Sequence, residues 1–299
     1  MLRKPRAAAW LLLFGSVAAA QTTTPQSSVD HMSFDRPEAW ALKYFTAVTT
    51  FTGVGPPIVK EAGSVAIGVE LGWVPELDRG KRLVGFDGTA LEDLNKTPLF
   101  GRPTLTVGLP AGLSIELAWA PPVTINGGKA NLVNAAIEET FFARDAWSAG
   151  LRVYGQQGHA KGDYTCSKEV AAQPPGSPDN PLGCVERSRD TATLNDVGAA
   201  LIGAVDVGGA TLHLSGGATY NDVQFQVGAV ENGVPDHTLL ITHGWTGWIA
   251  GGVGGPFADR GWIGLEAFYS PLIVNRPPRT DTQNDGLFNV RAVVRYRLR

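Results

Sequence analysis

Apolar and polar residues alternate with a period of two along most of the chain from Ser64 onward, the signature of strands with two chemically different faces. In 64–74, Val65, Ile67, Val69, Leu71 and Trp73 share one face, opposite Ala66, Gly68, Glu70 and Gly72. Segment 102–109 sets Leu105, Val107 and Leu109 against Thr104, Thr106 and Gly108, and 113–120 sets Leu113, Ile115, Leu117 and Trp119 against Ser114, Glu116 and Ala118. In 147–156, Trp147, Ala149, Leu151 and Val153 oppose Ser148, Arg152 and Gln156. Segments 210–226, 238–253 and 262–270 continue the pattern, and the last is the clearest: Phe288, Val290, Ala292, Val294, Tyr296 and Leu298 interleave with Asn289, Arg291, Arg295 and Arg297. Segments 131–142 and 191–205 alternate poorly but complete a set of ten.

A soluble sandwich would also alternate, because one face of each sheet is wet. The connections separate the two cases. Odd-to-even links are long (75–101, 121–130, 157–190, 227–237, 271–286), and even-to-odd links are short (110–112, 143–146, 206–209, 254–261). Together with the alternation, this makes residues 64–299 resemble a bacterial outer-membrane β-barrel, which carries long outward loops and tight periplasmic turns. The C-terminus, Tyr296-Arg297-Leu298-Arg299, departs from the terminal aromatic residue usual in that class. The resemblance implies an all-β fold, an antiparallel up-and-down transmembrane β-barrel of about ten strands over 58–299, with both termini on the periplasmic side. It implies membrane lipid, the outer-membrane assembly machinery and small solutes as partners. Closure follows physically, since in hydrocarbon every backbone N–H and C=O must pair within the protein. Strands of about 9–11 residues suffice to span, so 210–226 and 238–253 project beyond the bilayer. Trp73, Trp119, Trp147, Trp262, Tyr269 and Tyr296, near strand ends, suit interfacial girdles as well as a soluble core.

Ahead of the strands, residues 1–20 read as a cleaved signal peptide: Arg3, Lys4 and Arg6, the apolar run Ala7–Phe14, then Ala18-Ala19-Ala20. No later run of 18 apolar residues predicts a transmembrane helix. Residues 21–35 read as a disordered leader. In 36–57 a short helical segment is expected, with Asp35 as cap, Pro37 in the first turn and Gly53-Val54-Gly55-Pro56-Pro57 as the stop. It has three placements: a periplasmic closure of the barrel, a lumen plug through Trp40, Tyr44 and Phe45, or an added strand over 43–52. A second helical turn is expected at Thr89–Asn95.

Charge sharpens the barrel reading. Charged residues are only 18% of the chain and the net charge is −3, a balance that argues against nucleic acid, which selects basic faces. Glu70, Glu116, Arg152, Glu266, Arg291 and Arg295 lie on the polar faces. Facing lipid, an Arg or Lys would cost roughly 2–4 kcal/mol, so they are assigned to an internal charge network. It serves as a plug filling a narrow lumen or as a constriction lining a small pore.

Cys166 and Cys184 flank a turn-rich segment, and export makes a disulfide the natural pairing. The five His show no metal-ligand spacing, and no cofactor motif appears. His213 and Ser215 share one strand face and resemble the His-x-Ser pair of outer-membrane lipid A deacylases; near the periplasmic end of the strand, they read more simply as two polar lumen residues. Asp222, Asp236, His237 and Asp285 fall near the outer rim, where a barrel protease would gather its acids. Asp281, Gln283, Asp285 and Gly286 echo a calcium loop, but Ala292 stands where its bidentate Glu belongs. The expectation is therefore a non-enzymatic barrel, structural and surface-exposed or a narrow channel, with an outer-membrane hydrolase as the alternative.

Overall fold

Each alternating segment becomes a strand in the computed structural model, which describes residues 27–57, 60–279 and 281–298. The expected signal peptide and residues 21–26 of the expected leader lie outside the described residues. The ten strands are β1 (Val65–Trp73), β2 (Leu99–Gly108), β3 (Leu113–Ala120), β4 (Lys129–Arg144), β5 (Trp147–Gly162), β6 (Asp190–Val207), β7 (Ala210–Gln226), β8 (Leu239–Phe257), β9 (Gly261–Ser270) and β10 (Leu287–Arg297). Each pairs antiparallel with its sequence neighbours, and β10 pairs with β1 (Val293 opposite Glu70), so the sheet closes into an up-and-down barrel with no free edge strand. One ladder is incomplete. β2 pairs with β3 only from Thr104 to Gly108, leaving its Leu99–Pro103 stretch without a partner on that side.

Outward positions are exposed and apolar (Ile67, Val69, Leu71, Leu117, Val153, Leu214, Ile249, Ile263, Leu265), while inward positions are buried. The faces match the sequence reading. Aromatic residues ring both ends of the apolar exterior, with Trp73, Trp119 and Trp245 at the long-link end and Phe142, Trp147 and Tyr296 at the other. Trp262 departs from the girdle: it points into the barrel, under the Arg295 guanidinium at 5.4 Å and against Gly55. Short turns close the second end, and the β6–β7 turn, Gly208-Gly209, has positive φ at both residues, a conformation that glycine adopts without strain.

Two walls differ in height. β4 to β8 run 16 to 19 residues, whereas β1, β2, β3, β9 and β10 run 8 to 11. The poor alternation of 131–142 has a local cause, a register shift between Thr140 and Phe142 that leaves both Phe141 and Phe142 outside.

Helix α1 (Pro37–Thr49) occupies the lumen, in contact with β6, β7 and β10. The 43–52 segment is therefore helical through Thr49 rather than an added strand. Arg36, not Asp35, is the N-cap, and it makes no side-chain cap hydrogen bond, while Pro37 and Glu38 hold the first-turn positions expected of them. The chain also enters from the unexpected end. Val29–His31 pairs parallel with Leu239–Ile241 at the long-link end of β8, so this part of the expected leader is a strand and not a disordered tail. From there the segment runs through the barrel to Pro57, beside Gly150, and reaches β1 at the tight-turn end. The helical turn expected at Thr89–Asn95 does not form: Leu91 pairs with Leu83, and the tight turn before it, Gly85–Gly88, has positive φ at Phe86 and Asp87.

Candidate functional site: a clamped lumen plug

α1 carries helix formers at Ala39, Ala41, Leu42 and Lys43 beside the large apolar side chains of Trp40, Tyr44 and Phe45, which suit burial in the lumen. Every residue from Pro37 to Thr49 is buried except Phe45. Lys43 is fully enclosed and its ammonium donates to the carbonyls of Phe34 and Ile273, both at 2.6 Å. Trp40 Nε1 donates to the Asp285 carbonyl (3.0 Å) and the Tyr44 hydroxyl to the Pro75 carbonyl (2.8 Å). These bonds tie the first half of the helix to links 74–98 and 271–286.

The second half is held differently. A helix leaves its last carbonyls without intrahelical donors, and they carry its negative end. α1 has no basic residue in its own last turn. Wall arginines take that role. Arg291 donates to the carbonyls of Ala47 (2.9 Å) and Thr50 (2.9 Å) and to the Thr52 hydroxyl (3.1 Å). Arg102 donates to the carbonyls of Thr49 (2.8 Å) and Thr50 (3.2 Å). Below them Arg152 reaches the Phe51 carbonyl (3.3 Å) and Arg295 the Val54 carbonyl (2.8 Å). The Phe51 ring lies between two guanidinium groups, Arg102 at 4.5 Å and Arg152 at 4.6 Å from its centroid, a doubled cation–π contact. Gly53, at φ +70°, passes so close to Arg152 that a Cβ there would sit 2.4 Å from the guanidinium carbon.

Carboxylates complete the set. Glu70 pairs with Arg102 (2.7 Å), and Glu116 bridges Arg152 (2.9 Å) and Arg295 (3.4 Å). Glu138 joins Arg152 (3.4 Å) to Lys60 (3.2 Å). The six residues named from sequence all face the lumen, but their pairing differs from the expected network: Glu70 takes Arg102, which lies outside the six. Arg291 meets backbone carbonyls and the Phe268 ring (4.0 Å) and takes no carboxylate, and Glu266 meets no arginine. Glu266 instead lies against His213 Nε2 (3.2 Å) and accepts from the Thr52 hydroxyl (3.0 Å). Arg102 and Glu138 join the clamp from outside the expected six; extending the period-two faces from Thr104 and Asn134 places both inside.

His213 and Ser215 are both buried on the inner face of β7, but the Ser215 hydroxyl donates to the Ala250 carbonyl (3.5 Å) while the imidazole faces Glu266. The rim acids do not converge. Asp222 is exposed on the outer face of β7, Asp236 accepts from Thr238, and Asp285 is ion-paired with Arg276. Among the described residues no group of three or more His, Cys, Asp or Glu is placed to hold a metal.

At the long-link mouth a disulfide joins Cys166 and Cys184. Asp190, unremarked in the sequence, organises this mouth: it accepts from the amides of Tyr164 (2.9 Å), Thr165 (2.8 Å) and Gly228 (2.9 Å) and from the Ser188 hydroxyl (2.7 Å). A chamber of about 450 Å³ opens here, lined by Leu42, Phe45, Tyr164 and Phe225 together with Glu92 and Glu231. At the opposite end a vestibule of about 340 Å³ is lined by Lys60, Glu116, Glu138 and Arg295. The plug segment lies between the two.

No family model matches the chain, and no curated relative matches it. Among solved structures, the translocator domain of autotransporter NalP from Neisseria meningitidis aligns at 11% identity and TM-score 0.38, over 80% of this chain and 90% of that one. The outer membrane protease OmpT from Escherichia coli aligns at 9% identity and TM-score 0.33, over 79% of this chain and 94% of that one. The Pseudomonas putida toluene transporter TodX aligns at 9% identity and TM-score 0.32, over 92% and 99%. At those scores the barrel assignment rests on this chain's own strand pairing.

Proposed function

We propose that this chain is an integral, non-enzymatic protein of the bacterial outer membrane whose lumen is closed to ions by its own N-terminal segment. The membrane placement is supported by an exterior of exposed apolar side chains between two aromatic rings and an interior that keeps every wall arginine of the clamp away from lipid. Export through a cleaved signal peptide and insertion by the outer-membrane assembly machinery belong to the same reading. With the long links facing outward, Val29–His31 and the stapled 163–189 link stand at the outer rim as the surface available to partners.

The observation that carries the closed state is the clamp. Arg102, Arg152, Arg291 and Arg295 together satisfy carbonyls from Ala47 to Val54, partway along the lumen. Release would strand the buried Arg291, which has no carboxylate partner, and would take carbonyl acceptors from Arg102, Arg152 and the half-buried Arg295, a cost that holds the plug in place. The test is conductance of the purified, oxidised protein across a planar bilayer. Wild type is expected to give no unitary steps, and Arg102→Ala with Arg291→Ala is expected to give them. Reproducible wild-type steps whose ion selectivity shifts with Glu116→Gln would replace the plug by a constricted channel.

A further inference from the structure

The incomplete β2–β3 ladder coincides with a cavity. Above the Thr104–Ala118 pair, β2 continues to Leu99 with β1 on one side only. β3 ends at Ala120, and its companion on the far side, β4, is braced there by Trp119 Nε1 donating to Asn131 Oδ1 (2.9 Å). The unpaired edge reaches from the Trp73 and Trp119 ring into the apolar band, and is costly wherever its N–H and C=O groups find no water. The sequence lowers that cost with prolines: Pro103 has no N–H to strand, and Pro121-Pro122 ends β3 where it would otherwise climb along β2. The opening is therefore written into the chain.

At this place a cavity of about 360 Å³ crosses the wall, a size within the range of small-molecule sites. Its lining includes Leu71 and Leu99, which are exposed on the outside of β1 and β2. It also includes Tyr44 and Val48 of α1 and Leu132 and Leu194 of the inner wall, all buried in the lumen. A continuous wall would keep these two groups of residues apart. Of the two lysines on the lining, Lys96 is taken up by Asp93 (2.5 Å) and Asp163 (2.8 Å), and Lys129 is exposed at the long-link end of β4.

We propose that the gap between β2 and β3 is a side entrance through which a hydrocarbon chain passes from the bilayer into the cavity beside α1. The inference rests on the membrane placement proposed above. The outer mouth opens among the side chains that face lipid, so the occupant is a molecule already dissolved there. The walls beyond it are apolar, and a polar occupant would lose its hydration without gaining partners. A hydrocarbon leaving lipid for this cavity gains packing but no hydrophobic free energy, because lipid tails are as apolar as leucine. Occupancy is thus governed by concentration in the membrane and by fit, and the affinity is modest. The source is either an acyl chain still attached to its phospholipid or a free apolar solute.

The test uses the full chain in phosphatidylcholine vesicles and a twelve-carbon chain bearing a terminal diazirine, supplied once as a phospholipid acyl chain and once as a free fatty alcohol. After irradiation, labelled peptides are mapped by mass spectrometry. Label on Tyr44, Val48, Leu132 or Leu194 is expected in addition to label on Leu71 and Leu99. The probe that gives it identifies the source. Ala130→Trp, which fills the cavity, is expected to lower the lumen-side label at least tenfold and to leave the outer label unchanged, with retained heat-modifiable gel mobility reporting that the variant is folded. Label confined to Leu71 and Leu99 overturns the side entrance and leaves the membrane placement standing. Absence of label at all six positions overturns both.

Discussion

The short wall and the tall wall of this barrel are chemically unlike. The short strands β1, β2, β3, β9 and β10 turn Glu70, Arg102, Glu116, Glu266, Arg291 and Arg295 inward, while the taller strands contribute only Arg152 and Glu138 to the clamp. Inside the tall wall small and aromatic side chains (Ala136, Tyr154, Ala200, Trp248, Ala250) alternate with mostly uncharged polar ones (Asn134, Gln156, Ser215, Thr219, Asn221). A short strand has few inward positions, and here they are spent on charges that reach the backbone of the plug. The tall wall has positions to spare and uses them to pack the lumen. The incomplete ladder also lies in the short wall, between two of its strands. Positional rigidity and a lateral opening thus share one side of the molecule, and the opposite side is a conventional packed wall.

The comparison breaks first at Arg291. Replacing it with Ala removes the donors to the Ala47 and Thr50 carbonyls and the Thr52 hydroxyl. A loss of about 1–3 kcal/mol is expected for buried acceptors left without a donor, read as a lower temperature for the gel-mobility shift. Ion conductance should appear at temperatures where wild type is silent. If Arg291→Ala leaves both unchanged, the clamp is not what holds the plug.

A smaller effect is expected at the mouth. Cys166→Ser with Cys184→Ser should cost the 163–189 link about 3 kcal/mol in the chain-entropy model and leave the barrel alone. Limited proteolysis should therefore cut the link much faster at an unchanged gel-shift temperature; a shifted barrel transition would show that mouth and wall are one unit. On the tall wall, Tyr154→Phe deletes the hydroxyl that meets Thr219 Oγ1 (2.6 Å) and accepts from Trp248 Nε1 (2.8 Å). A loss of about 1–2 kcal/mol is expected, with conductance still absent. Steps appearing in this variant would give the tall wall a part in holding the plug.

The smallest effect is a pH dependence in the 74–98 link. Burial, with the Asp190 and Glu231 carboxylates nearby, pushes the Glu92 carboxyl up to about 8. An unfolded glutamate releases its proton near pH ~4.3, so across the interval between these values the folded link holds a proton that the unfolded one has lost. The contribution of Glu92 is full below the lower value, falls as pH rises and is gone once pH exceeds the upper one. Chymotrypsin cleavage of this link should be faster at pH 8.5 than at pH 6, and Glu92→Gln should flatten the difference.

Much of this architecture was legible as alternation. Eight of the ten strands and the long-short order of their links follow from residue spacing, because a strand with one face toward lipid or solvent and the other toward a polar lumen must repeat every two residues. β6 was hard to read for a physical reason. Its inward Ala192, Leu194, Ala200 and Ile202 are as apolar as its outward face, with α1 among the elements it packs against, and the contrast that marks a strand disappears. The inward charges were visible too, but not their partners. Glu266 is matched with His213, from a strand two places away around the barrel, and nothing local to either residue records that proximity.

Sequence by itself determined most of the strands, their sidedness and the presence of a short helix opened by Pro37, since these depend on neighbours within a few residues. Tertiary structure alone decided where that helix lies. Helix propensity is the same in a periplasmic cap and in a lumen, and only the closed wall brings Arg102, Arg152, Arg291 and Arg295, from strands far apart in the chain, onto the carbonyls of one segment. The direction of entry has the same origin: the pairing of Val29–His31 with Leu239–Ile241 spans some two hundred residues, and no local pattern encodes it.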